Sequence, residues 1–321
     1  MSLPHRPLLP GVFALLTLGV VATAQDTGPD AVAAPPTLER VIDPVAKELW
    51  DGFLAASRPG DAARDPIRDF SLAAWVRVRN EGSNDVEVLY DFQSPQWVRS
   101  SIQSGKTIGR GPGRQGLSGY WLMDREAGGK PKALDTTAHA RDRRQIDDLV
   151  ALAKNFVALS DPSRLKLDTL VTSEAPAALL ELLPRRAKRK LVWIRLRSTD
   201  FGLSAKTTGT SRFAAPKVEP RWVEFGLDEK TLLPRMLLVG KEHQGRLDLR
   251  AGSRASLIHL PKESFQLSGG FLIPEVFHLH DLVPHPTTGA LVFSEKAAKE
   301  IILRSAEFRP SFPPGHFDGA S

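Results

Sequence analysis

The chain has 321 residues, no cysteine and a formal net charge of +6. Without cysteine there is no disulfide, no thiolate metal ligand, no Cys nucleophile and no lipid anchor on a Cys. A chain of about 300 residues buries about 75% of its unfolded surface, so a fold of this length needs no covalent staple.

The first 24 residues read as a cleavable secretory signal. His5 and Arg6 lie in a short polar start, and residues 11–21 (GVFALLTLGVV) form an apolar run. That run is shorter than the roughly 20 residues of a membrane span. Ala22-Thr23-Ala24 is an A-x-A site that predicts cleavage before Gln25. The expected product is periplasmic or extracellular and has no membrane span. Its basic balance points to anionic envelope surfaces rather than nucleic acid. Residues 25–40, rich in Pro and Ala, read as a flexible leader, 41–309 as a single β-rich domain and 310–321 as a tail.

Asp43-Pro44 starts a helix, because Asp caps orphan N–H groups and Pro suits the first turn. Val45, Leu49, Phe53 and Ala56 recur behind it at helical spacing, with Trp50 beside them. Residues 70–79 then alternate, with Phe70, Leu72, Ala74, Val76 and Val78 on one face and Trp75, Arg77 and Arg79 on the other. Val86, Val88, Tyr90 and Phe92 repeat the alternation, and residues 97–104 give a third strand. A Gly-rich loop over 105–116 leads to a fourth, 117–124. The short links make this an antiparallel meander.

The period changes next. Ile146, Leu149, Val150, Ala153, Phe156 and Val157 mark the apolar face of a helix over 138–159, with Arg143, Arg144, Asp148 and Lys154 opposite. Asp161-Pro162 stops it. A short strand over 165–171, a second helix over 173–183 and an alternating strand over 191–197 follow. Residues 221–250 read as three antiparallel strands joined at Asp228–Thr231 and at Gly240–Gly245. Further strands are expected near 255–260, 276–280, 291–293 and 301–308. The fold class is α+β: a large curved antiparallel sheet, a half-barrel, covered by a few helices.

The apparent motifs are weak. Residues 111–116 match G-x-G-x-x-G but precede a strand pattern, so no helix N-terminus meets a phosphate. His278 and His280 share one strand face, with Asp281 and His285 nearby, a spacing that suits zinc. Two histidines with a distant third fit ordinary half-exposed side chains at a sheet edge, and no metal or other cofactor is expected. Arg185, Arg186, Lys188, Arg189 and Lys190 form a basic run that reads either as a solvated turn or as a contact for an anionic surface or acidic partner. No Ser-His-Asp or paired-carboxylate arrangement stands out, and the chain is not read as an enzyme.

The order of signal, amphipathic helix, meander, helices and strands, with the unit WVEFGLDEKTLLPRMLLVGKEHQGRLDL, resembles the bacterial outer-membrane lipoprotein carrier family, the LolA/LolB-like fold. The acidic turn Asp228–Thr231 followed by Leu233-Pro234 is the most specific part of that resemblance. The resemblance implies an incomplete barrel closed by helices around a hydrophobic cavity that takes up acyl chains. Trp75, Leu89, Trp121, Met123, Trp193 and Trp222 sit where a solvated sheet face would carry polar side chains. They are the expected cavity-side residues. The leading expectation is therefore an exported envelope protein that binds lipid or lipoprotein acyl chains. A non-enzymatic interaction module of the envelope is the alternative. A secreted hydrolase with a cleft around His278, His280 and Asp281 is third.

Overall fold

Asp43 caps the first helix: its Oδ1 accepts the Val45 N–H at 3.0 Å, and Pro44 takes the first helical position. This helix, α1 (Pro44–Ser57), buries Ala46, Trp50, Phe53 and Ser57. The buried stripe is one residue off the expected one, and Val45 is 58% exposed. Trp50 is the anchor, its indole edge-on to Phe225 at 5.9 Å between ring centroids. The computed structural model describes residues 41–59, 65–78, 85–94, 97–102, 105–112, 119–124, 129–134, 138–179, 190–201, 220–243, 246–249, 255–261, 265–308 and 310–318. All of them lie in one compact unit, residues 40–321.

The strands come in chain order. The first seven are β1 (Val41–Ile42), β2 (Asp69–Val78), β3 (Val86–Gln93), β4 (Trp97–Ile102), β5 (Lys106–Arg110), β6 (Tyr120–Asp124) and β7 (Lys132–Ala133). After the long helix α2 (Ala140–Ser160) come β8 (Thr169–Ser173), β9 (Leu191–Ser198), β10 (Arg221–Asp228), β11 (Pro234–Gly240), β12 (Glu242–His243) and β13 (Arg246–Leu247). The last seven are β14 (Ser256–His259), β15 (Phe265–Ser268), β16 (Phe271–Pro274), β17 (Val276–His280), β18 (Leu282–Pro284), β19 (Leu291–Phe293) and β20 (Lys299–Phe308).

Among the described residues, fourteen strands make one unclosed sheet in the order β1-β8-β9-β10-β11-β14-β17-β20-β2-β3-β4-β5-β6-β7. Its pairings are antiparallel apart from β1 against β8. The meander β2 to β7 is joined to the second half by β20, which pairs with β2 along its whole length. The turn between β10 and β11 is as expected: Asp228 Oδ1 accepts the N–H groups of Lys230 and Thr231, both at 3.0 Å. Three small hairpins, β12/β13, β15/β16 and β18/β19, stand outside the main sheet.

Both helices lie on one face of this sheet, which we call the inner face. Phe53 meets Phe225 at 5.4 Å, and Phe156 of α2 meets Phe70 at 5.1 Å. Each such buried side chain contributes about 1.5–3 kcal/mol. The outer face is apolar too at one end. Trp193, Met236, Leu238 and Leu257 form a second cluster there with Leu179 and Phe293. Leu179 belongs to the 3₁₀ turn Ala177–Leu179, and Phe293 to the β18/β19 hairpin.

The α+β half-barrel class is therefore observed, with local differences. Residues 106–110, expected as loop, are strand β5. Gly109 in it leaves room for the indole of Trp121 on β6; a Cβ there would lie 2.3 Å from that ring. The expected helix over 173–183 is, within the described residues, the end of β8 and a single 3₁₀ turn. The third strand of the main sheet after β11 is β14, because residues 246–247 only close the small β12/β13 hairpin. Arg143 and Lys154, expected on the solvated face of α2, are covered. The Arg143 guanidinium stacks 4.3 Å over the Tyr120 ring, and burial lowers the Lys154 ammonium to about 8. Part of the expected tail packs down: Phe317 is buried, and its carbonyl accepts the Trp121 indole N–H at 2.7 Å. The signal and the leader lie outside the described residues.

Candidate functional site

The inner face holds an apolar cavity of about 70 Å³ between α2 and the middle of the sheet. The alternation of β2 delivers Phe70, Leu72, Ala74 and Val76 to it. Strand β3 adds Val88 and Tyr90, β17 adds Phe277, and β20 adds Ile301 and Leu303. Helix α2 supplies Leu149, Leu152, Ala153 and Phe156, the i, i+3, i+4, i+7 set of its apolar stripe. Two of the lining residues are alanines, Ala74 and Ala153, and small side chains at such positions leave space where larger ones would close the core. The one hydroxyl in the lining is satisfied within the wall: Tyr90 donates to the Leu149 carbonyl at 2.5 Å. Burial pushes the Tyr90 phenol well above its ordinary value, so it stays a neutral donor. A lining without free polar groups offers a ligand dispersion and release of water, with no hydrogen-bonding specificity.

The two ends of α2 are held differently. At the C-terminal end, Asp161 is fully buried and receives four bonds. Arg58 donates to Oδ1 from Nη2 at 2.6 Å and from Nε at 3.1 Å, Ser163 Oγ donates at 2.6 Å, and the Ile67 N–H donates to Oδ2 at 2.7 Å. This ties α2 to the end of α1 and to the approach of β2. At the N-terminal end the charge contacts of Asp142 and Asp147 are longer and less buried: Lys106 to Asp142 at 3.9 Å and Arg110 to Asp147 at 3.7 Å. Tyr120 Oη adds a hydrogen bond to Asp147 at 2.8 Å.

None of the six residues expected on the cavity side lines this cavity; all take the outer-face parity of their strands. Trp75 lies under the Arg304 guanidinium at 4.0 Å, and Leu89 is 54% exposed. Trp121 is covered by Phe317, and Met123 shares its parity on β6. Trp193 packs in the outer cluster across Gly226, where a Cβ would meet its ring at 2.9 Å. Trp222 donates to Glu224 Oε1 at 3.1 Å beneath Arg195. The physical reason is that the helices cover the other face, where Phe70, Leu72, Tyr90 and Phe225 form the continuous core. The stripe of α2 was legible in the sequence, and the strand residues of matching parity were the available signal for the cavity wall.

Of the basic run, Arg185, Arg186, Lys188 and Arg189 lie outside the described residues. Lys190 is an exposed side chain 3.9 Å from Glu229. Of the histidines, His278 and His280 do share a face of β17, but His285 turns away: its Nδ1 accepts the N–H groups of Thr287 and Thr288 at 3.2 Å. The third ring beside them is His259, which sequence spacing gave no reason to choose. Burial, then the neighbouring His280 and His278, lower the His259 imidazole to about 4. Burial also lowers His280.

No protein-family model and no curated protein matches the chain. Among solved structures it is similar to a LolA superfamily protein from Nitrosomonas europaea, at 11% identity and TM-score 0.40, over 85% of this chain and 96% of that one. It is also similar to a DUF1329 family protein from Desulfovibrio piger, at 10% identity and TM-score 0.35, over 86% of this chain and 98% of that one. The likeness is one of chain path, and no residue role is carried across it. Among the described residues no helix is long and apolar enough to cross a membrane.

Proposed function

We propose that this is an exported envelope protein that binds a lipid or lipoprotein acyl chain between α2 and the inner face of the sheet. One observation carries the reading: a cavity lined by apolar side chains, whose single hydroxyl is already bonded within the wall. Such a surface suits a hydrocarbon chain, which gains about 0.8 kcal/mol for each CH₂ removed from water. The apolar run of residues 11–21 and the A-x-A site supply the export signal.

The cavity, about 70 Å³, is far smaller than the roughly 300–1,000 Å³ of ligand pockets. Uptake therefore requires α2 to move off β2 and β3. The buried Asp161 clamp makes the C-terminal end of α2 the pivot. The Asp142 and Asp147 charge contacts, longer and less buried than that clamp, release first. Transfer to an acceptor is the reverse movement, driven by a site that binds the chain more strongly.

Native mass spectrometry of the protein purified from an exporting host, with organic extraction of bound material, tests this. A discrete adduct of lipid mass that extracts as lipid is expected. A clean apo mass that stays clean after incubation with phospholipid and lipopeptide would contradict it and leave the non-enzymatic interaction module as the better account.

A further inference from the structure

The outer face of the sheet carries a histidine cluster, separate from the acyl cavity and independent of that reading. His259 on β14 stands opposite His278 on β17 in the strand register. His280 follows two residues later, so the pleat puts it on the same face as His278. The ring centroids are 5.8, 6.1 and 6.3 Å apart, and one nitrogen of each ring lies within 4.8 Å of the other two.

The second observation concerns the proton on His280, which is 6% exposed. Its Nδ1 lies 2.8 Å from the Ser294 carbonyl oxygen. A carbonyl can only accept, so Nδ1 carries the hydrogen and Nε2 of the neutral ring is a lone pair. That Nε2 is buried and has no hydrogen-bond partner. A buried acceptor left unpaired is costly and calls for an explanation. Metal-ligating histidines have this arrangement, with the far N–H given to a carbonyl and the near nitrogen presented to the ion.

We propose that His259, His278 and His280 bind a divalent first-row transition ion of the zinc class, with water completing the coordination. Three imidazoles without a thiolate suit Zn²⁺, and also Ni²⁺ or Cu²⁺. Zinc–nitrogen distances are about 2.0–2.1 Å, so the ion draws the rings together. His259 and His278 are only partly buried and can turn inward. Charges of both signs flank the cluster, and Asp281 beside His280 is one that favours a cation. Glu300 Oε1, 3.5 Å from His278 Nε2, favours one too. Arg235, close enough to His259 to lower its affinity for a proton, opposes one. The site lies beside the β18/β19 hairpin, which supplies the Ser294 carbonyl just after β19, so the ion would also pin that hairpin to the sheet.

The test is calorimetric titration of the chelator-stripped full chain with Zn²⁺, with Co²⁺ absorption as a second readout. One ion per chain with micromolar or tighter affinity is expected. His278→Ala, at a partly exposed position, should lower that affinity by at least about 100-fold, given that even supporting partners of metal ligands are worth 10–100-fold. His285→Asn, which keeps an acceptor for its turn, should bind as the parent does. Histidine ring NMR of the unaltered protein needs no variant: Zn²⁺ should move the signals of His259, His278 and His280 and leave those of His285 and His316. Absence of stoichiometric binding, unchanged affinity in His278→Ala, or ring shifts confined to other histidines would overturn the proposal.

Discussion

Asp161→Ala is expected to lower the unfolding free energy by about 3–5 kcal/mol, the usual cost of removing one partner of a buried ion pair. The carboxylate is fully buried and takes donors from Arg58, Ser163 and the Ile67 backbone. Without it the Arg58 guanidinium, itself 8% exposed along its side chain, keeps its charge and loses the carboxylate it bonds twice. The Ile67 N–H also loses its acceptor, a further buried unpaired donor. Replacing both charges together, as Arg58→Met with Asp161→Leu, should recover a large part of the loss, because a buried pair is often worth little more than an apolar contact of the same shape. Urea denaturation gives the numbers, and an unchanged slope would show that the compactness of the end states is preserved. A loss below about 1 kcal/mol in the single variant would mean that Asp161 is not the clamp of α2, since that is the range of exposed pairs.

Ala153→Trp is expected to abolish acyl binding while leaving the fold in place. Ala153 is 1% exposed and lines the cavity from α2. An indole there fills the space that a chain would take. Overpacking of this kind costs about 1–3 kcal/mol, which a chain of this length can absorb. Displacement of a fluorescent fatty acid should fall to background in this variant. Leu89→Ala, at an exposed outer-face position, should bind as the parent does. Equal loss in both variants would point to general damage rather than to a filled cavity.

Much of this architecture was legible in the sequence. Strands such as β2 and β3 announced themselves by period-two alternation, and α2 by its apolar stripe. The turn at Asp228 was readable because its side chain makes the turn. Strand β5 was hidden by its glycines. Gly109 looks like loop chemistry, yet it sits in the ladder because Trp121 needs the space beside it. The choice of face was the larger difficulty. Alternation shows that Trp193 and Ile194 point opposite ways, but both are buried, one under the β18/β19 hairpin and the other under the helices. Composition alone does not say which apolar face a helix will cover. The end of the chain was obscured for a similar reason, since Phe312 and Phe317 stand among Pro and Gly and read as unstructured until Phe317 meets Trp97 of β4 and Phe312 packs on Phe317. The third histidine was missed because cross-strand neighbours are set by register. Nearness in the chain favoured His285, which closes its own turn.

On the proposed function, a hydrocarbon chain lies between α2 and the inner sheet face. Photolabelling with a diazirine fatty acid, followed by mass mapping of the modified peptides, locates the chain directly. Labels on Leu149, Leu152 or Phe156 of α2 and on Leu72 or Val88 of the facing strands are the predicted result. Labels concentrated on outer-face residues such as Trp193, Trp222 and Leu89, with α2 unmodified, would contradict it.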